Sequence, residues 1–261
     1  MDRLPYSELC QRFNPGDLLL FRGGDWISKT IMKIEMIENG SGQFSHVGVV
    51  VNSDMLPTIP QLKPGRWYVL ESTCTVPYFT DGVPDVRTGM IRFGVQLRDL
   101  ELVVRDYEGL RQKLSSGGEG RIVAWARLRN NPWRDPGRRD WVVSKMTKLI
   151  DKVGFKPYEW RFINLIAAAF PWFRRGRLWF DELVSDCYHA LSTLGIANDK
   201  TAKEVEESTV FCSQLVCMVY QALGRVDKKV DPSDIDPMDY LAPRDPTFRR
   251  LVDDPVEMVP S

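Results

Sequence analysis

Ser208-Thr209-Val210-Phe211-Cys212-Ser213-Gln214-Leu215-Val216-Cys217-Met218-Val219-Tyr220-Gln221-Ala222-Leu223-Gly224 is the stretch whose reading decides the fold. It predicts a helix with a cysteine in its first turn, for which Thr209 or Ser208 suits the N-cap and Gly224 the C-terminal stop. Positions 212, 215, 216, 219, 220 and 223 fall on one helical stripe, so Cys212 shares an inward face with Leu215, Val216, Val219, Tyr220 and Leu223. At a helix N-terminus, unpaired backbone N–H groups and the positive end of the dipole favour thiolate over thiol, as a nucleophilic cysteine requires. The same groups can hold an oxyanion. Buried cysteine is also common as a small apolar residue, and Cys217 in mid-helix reads that way. Which reading applies to Cys212 depends on the rest of the chain.

The chain has 261 residues, 43% hydrophobic and 27% charged, enough to bury one sizeable core or two small ones, so disorder as the main state is excluded. Thirty-five basic and thirty-five acidic residues cancel, which removes the global field that would argue for nucleic acid; any charged binding surface must be local. The cysteines at 10, 74, 187, 212 and 217 are odd in number and form no CxxC pair with histidine ligands at zinc-site spacing. Free thiols in a reducing compartment are therefore expected, with no metal and no cofactor. Met1-Asp2-Arg3-Leu4-Pro5 lacks an apolar signal region, and no run reaches the ~20 residues of a membrane-spanning helix. The expectation is a cytoplasmic protein.

Along the chain, Asn14-Pro15-Gly16-Asp17 is a turn signal before the compact strand Leu18-Leu19-Leu20-Phe21. Residues 25–38 carry apolar side chains at helical spacing, with Asp25 as cap. Phe44-Ser45-His46-Val47-Gly48-Val49-Val50-Val51 predicts a strand with His46, Gly48 and Val50 on one face. Trp67-Tyr68-Val69-Leu70-Glu71-Ser72 predicts another, and its carboxylate in apolar company needs a partner, for which His46 is a candidate. Residues 82–127 read as further strands around a more helical 97–114, with a flexible loop at 115–118. An amphipathic helix starts near Asp140 and stops near Gly154 and Pro157. The segment 160–180 has an apolar centre between Trp and Arg-rich ends, and 182–207 is polar. Asp231-Pro232-Ser233-Asp234-Ile235-Asp236-Pro237 is turn-rich, and residues 248–259 read as a final extended segment. The economical reading is a single domain over 1–261 with an insertion or lid at 160–207.

With two histidines in the chain, a base for Cys212 must be His46 or His189. His189 follows Cys187 by two residues, and residues so spaced do not face each other on a helix. His46 on an apolar strand has the heavier burial problem and so the better functional case.

The segments Asn14-Pro15-Gly16-Asp17-Leu18-Leu19-Leu20-Phe21, Phe44-Ser45-His46-Val47-Gly48-Val49-Val50, Val69-Leu70-Glu71-Ser72, Pro157-Tyr158 and Phe211-Cys212-Ser213-Gln214-Leu215-Val216, taken in order, resemble a known family. They are similar to the circularly permuted branch of the NlpC-type papain-like superfamily. Its relatives include bacterial YiiX-like proteins, a poxviral group and, more distantly, the lecithin retinol acyltransferases. The resemblance implies an α+β fold with an antiparallel sheet packed on the cysteine-bearing helix and a helical insertion. It also implies Cys212 as nucleophile, His46 as general base and acid, and Glu71 as the group that orients the imidazole, with Tyr158 and Ser213 as candidates for the oxyanion or substrate site.

The expected activity is that of a cysteine hydrolase or acyltransferase acting on an amide or ester, with a lipid or acylated substrate slightly favoured. The alternatives are a cell-wall peptide amidase or cysteine peptidase, and a non-catalytic lipid-binding module. A run of about nine largely apolar residues in 160–180 is too short to span a bilayer, but it suits contact with a membrane surface as well as it suits a buried core helix.

Overall fold

The runs Leu18-Leu19-Leu20-Phe21 and Val49-Val50-Val51 put bulky apolar side chains on both faces of a pleated strand, so each strand needs cover on both sides. That requirement sets the architecture. A computed structural model describes residues 1–23, 32, 43–73, 82–91, 94–113, 121–154, 210–241 and 251–261. In it β1 (Arg3–Pro5), β2 (Leu18–Arg22), β3 (His46–Val51), β4 (Tyr68–Thr73), β5 (Gly94–Asp99), β6 (Ile122–Ala126) and β7 (Val256–Val259) form one seven-stranded sheet in the order β1-β7-β6-β2-β3-β4-β5. The described helices that cover it are α1 (Tyr6–Leu9), α2 (Leu100–Lys113), α3 (Arg139–Val153) and α4 (Cys212–Ala222).

Two apolar cores lie on opposite faces. Leu18, Leu20, Val47, Val49, Leu70 and Leu97 pack under α3 and α4, which contribute Val142, Met146, Leu215, Val216 and Val219. Leu19, Phe21, Val50, Val69, Val123 and Trp125 pack with Leu100, Val103 and Val104 of α2 and Leu9 of α1. The result is a mixed α+β fold with the sheet between helical layers. Each fully buried Leu or Val on it contributes about 1.5–3 kcal/mol relative to exposure. Among the described residues no helix is long and apolar enough to cross a membrane.

Several expectations need correction. The sheet is not wholly antiparallel: residues 3–5 form β1 parallel to β7, while the other neighbours are antiparallel. The pairing is held by the Glu257 N–H donating to Asp2 O at 2.8 Å and by an Arg3–Glu257 ion pair at 3.0 Å. The helix expected over 97–114 begins at Leu100, because Val95 and Leu97 alternate with Gln96 and Arg98 as strand residues and Asp99 Oδ1 accepts from Leu102 N–H at 3.2 Å. The helix α4 has Phe211 in the N-cap position, extended at φ −76° and ψ 165°. The expected caps, Thr209 and Ser208, lie outside the described residues, and the N-cap position belongs to Phe211.

Gly224 does end α4, at φ +66°, with Gly224 N–H on Gln221 O and Arg225 N–H on Tyr220 O, the paired bonds of a Schellman stop. The expected helix at 25–38, the loop 115–118, Tyr158, His189, Cys74, Cys187 and the segment 160–207 lie outside the described residues.

The Asn14-Pro15-Gly16-Asp17 turn ties β2 to the chain beyond β6. Asp17 is fully buried, and its carboxylate accepts from Asn14 N–H at 2.9 Å, Trp125 Nε1 at 2.9 Å and Leu128 N–H at 3.0 Å. Replacement by Ala leaves two buried donors and one part-buried donor unpaired, at about 1–3 kcal/mol for each buried one, so Asp17→Ala should lose at least ~2 kcal/mol, and Asp17→Asn, which keeps one acceptor, clearly less. Urea unfolding of both variants checks this. Losses under ~1 kcal/mol for both would show that the carboxylate is not what ties these segments.

Candidate active site

The register of β3 and β4 sets Gly48 opposite Glu71. His46, two residues earlier, is on the same face and diagonal to the carboxylate. A Cβ at Gly48 would lie 2.6 Å from Val69 Cγ2 and 3.2 Å from Glu71 Cβ, so only glycine allows β4 to approach this closely. His46 Nε2 and Glu71 Oε2 are 2.6 Å apart, with Glu71 fully buried and the imidazole 17% exposed. The second carboxylate oxygen of Glu71 accepts from Arg98 Nε of β5. Burial pushes the Glu71 carboxyl up, but the Arg98 charge, followed by the hydrogen bond and charge of His46, brings it down to about 2. Glu71 is therefore an anion near neutral pH and can only accept, so we assign Nε2 as donor to it, which leaves Nδ1 for the ring's other polar contact.

That ring stands between the two cores. It lies 5.1 Å from Phe21, of the α2-covered core, at an interplanar angle of 48°. It also interacts with Cys212, which belongs to the core beneath α4 and is 6% exposed. Burial pulls the imidazole down. The electrostatic interaction with Cys212 and the hydrogen bond to it, followed by those of Glu71, outweigh burial and carry the His46 pKa up to about 9. His46 and Cys212 are each the first residue of their element, and they meet at that end of the sheet.

The start of α4 is fixed by long-range bonds and by the reach-back of its own Gln214, with no hydrogen bond from the N-cap side chain. Ser72 Oγ donates to Val210 O at 2.5 Å, and Phe211 N–H donates to Gln214 Oε1 at 3.1 Å. The first intrahelical bond runs from Leu215 N–H to Phe211 O at 2.9 Å. Tyr240 Oη donates to Ser213 O at 2.7 Å, and burial raises that phenol well above its ordinary 10, so it remains a donor. Ser213 itself is 7% exposed in the first turn beside Cys212. Adjacent residues of β4 thus serve opposite faces: Glu71 holds the imidazole and Ser72 holds the segment ahead of the sulfur.

Of the residues singled out from sequence, the structure brings Cys212, His46 and Glu71 together and sets Ser213 next to them. Tyr158 is outside the described residues. Sequence reasoning missed Arg98, Ser72 and Tyr240. Arg98 had a signal, since a fully buried carboxylate beside a neutral imidazole still lacks a countercharge. Ser72 and Tyr240 act through contacts that no local pattern announces. Among the described residues no group of three or more His, Cys, Asp and Glu side chains is placed to hold a metal ion.

Two measurements follow from the charges. The His46 ring resonances should titrate with a midpoint near 9, and Cys212→Ala, which removes the first of the upward influences, should lower it; an unmoved midpoint would mean that the sulfur does not face the ring. For stability, Glu71 is held down to about 2 against an ordinary 4.5, so the folded chain gains from its ionisation above about 4.5 and loses that gain as pH falls toward about 2. The stability gap between wild type and Glu71→Gln should narrow over that window in urea unfolding. A constant gap would contradict it.

No family model matches the chain, and no curated protein matches it in sequence.

Proposed function

We propose that the chain is a cysteine-dependent acyl-transfer enzyme of permuted papain-like type, a hydrolase or acyltransferase acting on an amide or ester. The observation that carries this reading is the position of His46, with Nε2 on the Glu71 carboxylate and the Cys212 sulfur as its other polar partner. The order of parts in the chain, histidine strand before cysteine helix, supports the same reading.

In the proposed reaction the proton given up by Cys212 rests on His46 Nδ1, in keeping with the raised imidazole pKa, and the sulfur attacks the substrate carbonyl carbon. The oxyanion is held by first-turn N–H groups of α4, which lie ahead of the bond from Leu215 N–H to Phe211 O. The tetrahedral species collapses as His46 returns the proton to the leaving nitrogen or oxygen, leaving a thioester on Cys212. Water or another nucleophile, deprotonated by His46, then attacks the thioester carbon and the sulfur leaves. Glu71 keeps the imidazole oriented and stabilises imidazolium without taking the proton itself. Tyr158, matched through the resemblance alone, is assigned to the oxyanion or substrate site with Ser213.

A lipid or acylated substrate is favoured because the 160–180 sequence combines an apolar centre with Trp and Arg, a composition suited to an acyl chain or a membrane surface. A cytoplasmic setting fits the free thiols of Cys10, Cys212 and Cys217.

Iodoacetamide labelling followed by peptide mass analysis tests the reading without a known substrate. Cys212 should react at least ~10-fold faster than Cys10 and Cys217, and His46→Ala should remove that advantage. On an acyl substrate, Cys212→Ala and His46→Ala should each abolish turnover, the pair together being little worse than either alone, because the residues act as one unit. A Cys212 no more reactive than Cys217, in a chain that still binds liposomes, would point instead to a lipid-binding module. Turnover of peptide amides with none of acyl esters would favour an amidase.

A further inference from the structure

We infer that Arg98 is a positioning residue of this site, a buried cation that fixes the Glu71 carboxylate on His46 and keeps it from competing for the reacting proton. The inference rests on the proposed function for its catalytic meaning, but its geometry stands independently. The two oxygens of Glu71 are divided: Oε1 accepts from Arg98 Nε and Oε2 faces His46 Nε2 at 2.6 Å. Glu71 is fully buried and the Arg98 residue 3% exposed, so bulk water screens neither. Three adjacent strands supply the three groups: β3 carries His46, β4 carries Glu71, and β5 carries Arg98 opposite Val69, two residues from the Gln96 that faces Glu71.

The division has a chemical consequence. A buried carboxylate with imidazole as its sole partner would lower its own desolvation penalty by taking the imidazole proton, and a protonated Glu71 would cease to stabilise imidazolium. A permanent guanidinium on the other oxygen removes that escape. Arginine suits the role because its charge survives burial in full, whereas a lysine beside the same carboxylate holds its proton less firmly and would replace it only in part. The proton then moves between His46, the sulfur and the substrate alone, and the acid limb of reactivity belongs to the Cys212–His46 pair rather than to Glu71.

Two readings decide the matter, one of them independent of catalysis. In the wild-type chain, carbon-13 resonances of the Glu71 carboxyl should stay in the ionised position down to about pH 3, more than one unit below the ~4.3 of an exposed glutamate; a midpoint of about 4 or above would overturn the inference. In variants, the pH dependence of Cys212 alkylation is followed. Arg98→Met should move its acid limb upward by about one pH unit or more as Glu71 begins to protonate, and Arg98→Lys should restore about half or more of that displacement. An Arg98→Met limb coincident with wild type, or an Arg98→Lys limb displaced as far as that of Arg98→Met, would show that Arg98 is merely structural. If Arg98→Met fails to fold, Arg98→Gln takes its place with the same expected displacement, and if that also fails the wild-type carboxyl titration decides. A wild-type Cys212 that shows no enhanced alkylation defeats the enzymatic reading, and the Glu71 titration then decides the Arg98 inference by itself.

Discussion

The buried Glu71 carboxylate is the constraint around which the site is arranged. An ionised group with no access to water is expensive to hold, and breaking one partner of a buried pair typically loses about 3–5 kcal/mol. The fold meets this with a cation on one oxygen and an imidazole on the other, each from a neighbouring strand. Because strand spacing and register are set by the backbone ladder, the three side chains have little freedom to separate. Gly48 completes the arrangement by removing the Cβ that would otherwise hold β3 and β4 apart.

The cysteine side is built differently. Cys212 reaches the imidazole from the core beneath α4, and its position depends on how the chain enters that helix. Ser72 holds Val210 from β4, Gln214 accepts from Phe211, and Tyr240 anchors Ser213 from the segment that follows. The helix start is thereby indexed to the strand that carries Glu71, the residue next to Ser72. A shift of β4 by one residue would exchange the two side chains between faces and undo both contacts.

Local patterns were sufficient for much of this. The stripe from Cys212 to Leu223, the strands around Leu18, Val49 and Leu70, the helix ending at Gly154 and the stop at Gly224 all follow from spacing and turn chemistry within about fifteen residues, the range over which such signals act. The pairing of His46 with Glu71 was legible because burial of a carboxylate demands a partner. What escaped depends on distant contacts. Ser208 and Thr209 offered better capping chemistry than Phe211, yet the helix begins at Cys212, where Ser72, 138 residues away from Val210, fixes the approach. Residues 3–5 look like a polar lead until β7 arrives from the far end of the chain. Arg98 was lost to a misplaced strand–helix boundary, since 94–99 alternates with period two just before a helical pattern begins at Leu100.

The central claim is that Cys212 carries an acyl group during turnover. The most direct measurement is the mass of the chain after brief exposure to an activated acyl ester, with the modified peptide sequenced. The account predicts a single acyl addition on Cys212, released by neutral hydroxylamine as a thioester is, and absent from His46→Ala. An unmodified chain, or an addition shared evenly among Cys10, Cys212 and Cys217, would contradict it.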